Sequence, residues 1–108
     1  MLNQVVLVGR LTENPTIIEL EEEQKKAIVT LAVQRPFKNA EGVYETDFIK
    51  CILWNAIATS TTDYCHKGDL VGIKGRIQVN CSEDKKGNKT YSTEIIAEKV
   101  TFLSSKAE

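Results

Sequence analysis

Two-residue alternation of apolar and polar side chains runs through most of this sequence, and only one stretch departs from it. Such a chain must fold largely as strands, because alternate side chains point to opposite faces and each strand offers one face to a core. Asn3 to Leu11 (NQVVLVGRL) is a short β-branched run, ended by the polar segment Thr12 to Pro15. Thr16 to Leu20 has room for a brief strand, and Glu21 to Lys26 (EEEQKK) reads as a solvated hairpin tip, since neither charge sign has a reason to be buried. Ala27 to Gln34 places Ala27, Val29, Leu31 and Val33 on one face. Pro36 is expected to break that strand, with a loop over residues 35–42 turning at Asn39 and Gly42. Val43 to Asn55 is the longest strand pattern. Leu70 to Val79 and Tyr91 to Leu103 follow it, separated by a second hairpin tip at Ser82 to Asn88.

The departure lies between Ala56 and His66. Ile57, Thr61, Tyr64 and Cys65 fall near helical spacing there, and Gly68 sits where the chain leaving a helix wants positive φ. The run Ser60-Thr61-Thr62 makes this a weak helix that needs packing to persist. Gly72 and Gly75 allow the strong bend of a small closed barrel. Five long strands with one helix between the third and fourth match the OB-fold, a five-stranded Greek-key barrel in the all-β class; an open α+β sheet is the rival. With 108 residues there is material for one domain, expected over 1–103, with 104–108 as a short C-terminal remnant.

Charge and cysteine usage narrow the function classes. Fourteen Lys plus Arg against fifteen Asp plus Glu give a net charge of −1, so bulk charge alone does not grip a polyanion; local placement must do so. No apolar run approaches a membrane span, the N-terminus lacks a signal-peptide pattern, and no membrane partner is expected. Cys51, Cys65 and Cys81 are odd in number and widely spaced, which suits free thiols in a cytoplasmic protein. Catalysis finds no support. His66 is the only histidine and has no further ligand spacing around it, the glycines form no phosphate loop, and neither a metal nor any cofactor is expected.

The informative segment is VYETDFIKCILWN. One face carries Tyr44, Thr46, Phe48, Lys50, Ile52 and Trp54; the other turns apolar from Ile49 onward and reads as the core side. Flat rings interleaved with a cation suit an unpaired nucleic-acid strand, because every base has a π-face and every link a phosphate. Burial of the same rings beneath a loop or a subunit interface competes with that reading on periodicity alone. Arg35-Pro36-Phe37-Lys38 adds a ring between two cations in the expected loop, and Lys74 and Arg76 share one face of the bent strand. Arg10, Lys50 and Lys67 are further candidate phosphate contacts. The acidic run Glu19 to Glu23 would repel phosphate, so a bound strand is expected to pass elsewhere.

Five segments, NQVVLVGRLTENP (3–15), TLAVQRPFKN (30–39), TDFIKCILW (46–54), YCHKGDLVGIKGRIQ (64–78) and YSTEIIAEKVTFL (91–103), resemble in order and spacing the bacterial and phage single-stranded DNA-binding proteins. The resemblance covers nearly the whole chain. It implies an OB-fold, a homotetramer, and sequence-non-specific binding and protection of single-stranded DNA in replication, recombination and repair. Carried over position by position, it implies base stacking on Phe37, Phe48 and Trp54, with basic contacts from Arg10, Lys50 and Lys67; Arg35, Lys38, Lys74 and Arg76 complete the set. The chain departs from the family pattern at Ser82, where relatives usually have an aromatic, at Asn80, where arginine is frequent, and at Ala56, where a basic residue is common. Its first hairpin reads Glu-Glu-Glu-Gln in place of a turn glycine. The sequence stops at Ser-Ser-Lys-Ala-Glu without the family's acidic tail peptide, so a tail-less or truncated member is expected, with no recruitment of repair enzymes through such a tail. An OB-fold protein-interaction or primosome-accessory subunit with weak nucleic-acid binding is the alternative, favoured by the near-neutral charge, the acidic hairpin and Ser82.

Overall fold

The computed structural model describes residues 1–105. Strand β1 spans Val5–Leu11, β2 Ile17–Glu19, β3 Lys25–Lys38 and β4 Tyr44–Trp54; helix α1 spans Asn55–Tyr64, followed by β5 (Leu70–Glu83) and β6 (Lys89–Ser104). The strands pair in the order β1-β5-β6-β4-β3-β2, and a further β1–β3 pairing at Arg10–Ala32 and Leu11–Leu31 closes the five long strands into a barrel. The short β2 is an addition to β3. This is the OB-fold architecture. The helix lies between the third and fourth long strands, which becomes β4 and β5 once β2 is numbered.

The inward faces are those that alternation assigns. Leu31, Leu53, Ile73, Val29, Val71 and Cys51 are the largest fully buried side chains, drawn from β3, β4 and β5. Closure needs close backbone approach at two points. A Cβ on Gly9 would run into the carbonyl oxygen of Ala32, and one on Gly75 into that of Ile96, where the β5–β6 register shifts.

Three local expectations are corrected. Pro36 does not end β3, which continues to Lys38; the β3–β4 register shifts between Gln34 and Lys38, and in that irregularity proline's missing N–H breaks no regular ladder. The second hairpin tip is shorter than 82–88, because paired strand reaches Glu83 and resumes at Lys89. It is tied off by Asp84, whose Oδ1 accepts the N–H groups of Lys86 and Asn88 at 2.8 and 2.9 Å. Tyr64 is exposed, not part of the helix's buried stripe. Ala58, Thr61 and Cys65 carry the burial at spacings of three and four, and Tyr64 falls one residue, about 100° of turn, off that line. Of the expected 104–108 remnant, Ser104 belongs to β6 and residues 106–108 lie outside the described residues.

Candidate nucleic-acid interface

The outer face of β4 is where the sequence-predicted groups meet. Strand partners share a face, so the register defines rows of side chains running across the barrel wall. One row is Arg10 (β1), Ala32 (β3) and Phe48 (β4). With only a methyl group between them, Arg10 and Phe48 stand two strand spacings apart, about 10 Å. Phe48 is 68% exposed. Arg10 donates from Nη1 to the carbonyl of Gly68 at 2.9 Å, which fixes the guanidinium beside the turn that carries Lys67. That turn is held in place by Asn14, whose Oδ1 accepts the Lys67 N–H at 2.7 Å. A shallow groove at this end is lined by Val8, Arg10, Ala32, Gln34 and Thr46.

The next rows are Thr30–Lys50 and Ile28–Ile52, the latter continued by Ile96 on β6 and Arg76 on β5. Ile52, expected on an open face, is buried, because β4 has neighbours on both sides there and Ile28 and Ile96 flank it. Arg76 thus shares the outer face, two strands from β4, and its Nη1 donates to Gln78 Oε1 at 2.9 Å. Lys74 lies farther round, opposite Val6 on β1. Lys50 sits 3.3 Å from the Glu94 carboxylate.

The last row pairs Lys26 with Trp54. The Lys26 ammonium stands 5.4 Å from the indole centroid, and Trp54 is half-buried where Phe48 is open. Asn55, immediately after it, takes φ +53°, which asparagine tolerates, and its Oδ1 accepts the Lys25 N–H at 3.0 Å. The acidic turn Glu21–Glu23 therefore borders the Trp54 end of the track.

Phe37 and Lys38 lie on the arm formed by the ends of β3 and β4. Phe37 is 62% exposed, and the Lys38 ammonium stands 5.6 Å from the Tyr44 ring. Arg35 lies on the side of this arm opposite Thr46 and Phe48. Its Nε donates to Asp47 Oδ2 at 3.1 Å and its Nη2 to Asp47 Oδ1 at 2.9 Å, and Nη1 reaches Glu45. Asp47 and Glu45 alternate with Phe48 and Thr46, so the bidentate pair braces the back of the arm. The Arg35 guanidinium holds the Asp47 carboxyl below the usual carboxylate range, chiefly through that hydrogen bond.

The structure thus brings Arg10, Phe48, Lys50, Trp54 and Arg76 onto one continuous surface, adds Phe37 and Lys38 on its arm and Lys67 at its end, and leaves Arg35 behind the arm and Lys74 toward β1. Sequence reasoning missed Lys26, taken as part of a solvated tip, and Glu94. Counting back in register from Trp54 would have found Lys26; no local signal marks Glu94. Among the described residues no group of His, Cys, Asp and Glu is placed to hold a metal ion, and no helix is long and apolar enough to cross a membrane.

Residues 2–103 match the model of a family described as the single-strand binding protein family. The chain is 47% identical over 106 residues to single-stranded DNA-binding protein B of Bacillus subtilis, covering 98% of this chain and 94% of that protein. It is 46% identical to single-stranded DNA-binding protein 3 of Listeria innocua, covering 98% of this chain and 66% of that one. Against the single-stranded DNA-binding protein of Halalkalibacterium halodurans it is 45% identical, covering 95% and 61%. The chain thus spans nearly all of the first relative and less than two thirds of the other two.

Proposed function

Because the chain belongs to the single-strand binding protein family, we propose that it binds and protects single-stranded DNA without regard to sequence, during replication, recombination and repair. Its activity is binding, not catalysis. The observation that carries this is the surface on which the exposed ring of Phe48 stands between Arg10 and Lys50, continued by Trp54 at one end and Phe37 on the arm. Bases stack on the rings of Phe48 and Phe37 and on the accessible part of Trp54. Phosphates meet Arg10, Lys67, Lys38 and Arg76. A stacked base contributes about 1–3 kcal/mol whichever base it is, which is why such a surface is indifferent to sequence. Family membership does not favour the protein-interaction alternative.

Assembly into a homotetramer is part of the same proposal. Among the described residues β1 pairs with β3 only at Arg10 and Leu11, so its edge from Val5 to Gly9 is open, and Val6 on its outer face is 72% exposed. An open edge of this kind is completed by a second copy of itself. The cytoplasm, with its reducing poise, is the compartment we assign, since all three cysteines are free thiols.

Titration with oligo-dT while following Trp54 fluorescence tests the binding, and light scattering with and without the oligonucleotide tests the assembly. Quenching that weakens steeply as salt rises, with little response to duplex, is expected. Absence of quenching at low salt would refute the proposal.

A further inference from the structure

One buried charged group on this surface has no part in stacking or phosphate contact. Glu94 is 6% exposed, yet it lies on the outer face of β6, alternating with the core residues Ile95 and, beyond Ile96, Ala97. Its Oε2 is 3.3 Å from the Lys50 ammonium, which is itself half-exposed. The carboxylate therefore sits in the middle of the track, beneath the one cation that alternates along β4 between Phe48 and Trp54. A carboxylate removed from water cannot give up its counter-ion cheaply, whereas a solvated phosphate can be met by any other cation. Coulomb repulsion between that carboxylate and a phosphate drawn to Lys50 also acts with less screening than it would in bulk water.

Resting on the single-strand reading above, we propose that Glu94 is an affinity-setting residue: it neutralises Lys50 in place, so that the central cation of the track does not count as a phosphate contact. Lys50 is then a counter-ion first, and the track grips a strand through its rings and its outlying cations. A binding surface attenuated in this way holds a strand less tightly than its number of lysines and arginines suggests, which suits a protein that must be displaced from DNA as well as bound to it.

Glu94→Gln is close to isosteric and keeps an amide oxygen toward Lys50, so it removes the charge and little else. Affinity for oligo-dT is measured for the wild-type chain, for Glu94→Gln and for Lys50→Gln/Glu94→Gln across a series of salt concentrations, with thermal unfolding as the control on folding. Freed from its partner, Lys50 neutralises one more phosphate per subunit. For each subunit the strand engages, the slope of log affinity against log salt then steepens by about 0.7, and at 0.1 M salt binding tightens about fivefold relative to wild type. The double variant returns to the wild-type slope, because a neutral pair and no pair count alike. Weaker binding by Glu94→Gln, or an unchanged slope, overturns the proposal and makes Glu94 a support for Lys50 instead. A gain that persists in the double variant also overturns it, since Lys50 would not be the group released. If the wild-type chain itself fails to bind oligo-dT, the single-strand reading has failed, and that result is distinct from either of these.

Discussion

Replacing Phe48 by alanine separates a ring that serves binding from one that serves the fold. The ring is 68% exposed, and its neighbour across the strand pair is only Ala32. A fully buried phenylalanine is worth about 3 kcal/mol, so with a third of the residue covered the ring contributes about 1 kcal/mol to folding at most. As a stacking platform it contributes about 1–3 kcal/mol per bound base, or roughly 5- to 150-fold in affinity for each subunit engaged. Phe48→Ala should therefore keep the barrel folded and lose binding by at least fivefold. Trp54 is retained as the fluorescent probe, so one sample serves both an oligo-dT titration and a thermal melt. The loss should be the same at low and high salt, since no charge is altered. A variant that melts far below wild type while binding normally would show the ring to be structural and refute the reasoning. So would a loss that disappears at low salt, which would make the contact electrostatic.

Three other outcomes are expected. Glu22, at φ +61° in the acidic turn, adopts a left-handed conformation that glycine takes without strain, so Glu22→Gly should stabilise the protein by about 1 kcal/mol in thermal unfolding; an unchanged or lower melting temperature counts against strain at that tip. Of the three thiols, Cys81 alone is exposed, and burial pushes the Cys51 thiol up to about 11. A thiol reagent at pH 8 should thus modify one cysteine in the native protein and all three after unfolding. The Asp47 carboxyl is held low by Arg35, so the brace behind the β3–β4 arm is at full strength above the ordinary aspartate range, about pH 4, and weakens as pH falls through the depressed value. Carboxyl NMR titration should find a low Asp47 midpoint that Arg35→Gln returns to normal; a midpoint indifferent to that substitution would sink the assignment.

What the sequence made legible here is what depends on neighbours along the chain. Alternation placed Cys51 and Leu53 inward and Phe48 and Lys50 outward, and the change of rhythm after Asn55 located helix α1. Pro36 misled because a proline's cost depends on whether its missing N–H was needed, and the irregularity between Gln34 and Lys38 removes that need. Ile52 misled for a related reason: whether an outward residue is open depends on how many strands flank it, and the parallel pairing of β4 with β6 covers that position.

The same distinction decides how the cations should be valued. Along the chain, Lys50 looks like a free charge between two rings, and Arg35 looks like another beside Phe37. In the barrel each is matched to carboxylates whose positions follow from the fold: Glu94 comes from β6, and Glu45 and Asp47 face Arg35 across the β3–β4 arm. Lys26, by contrast, looked like part of a solvated tip and instead covers Trp54. A net charge near zero therefore does not describe the surface a strand would meet. Of the candidate phosphate contacts on the track, Lys50 is paired with a carboxylate, whereas Arg10 and Lys67 at one end, Lys38 on the arm and Arg76 on the far side take part in no ion pair among the described residues. The salt dependence of binding should follow that smaller set, not the full count of lysines and arginines on the surface, because only a charge still available to a phosphate displaces a counter-ion from DNA.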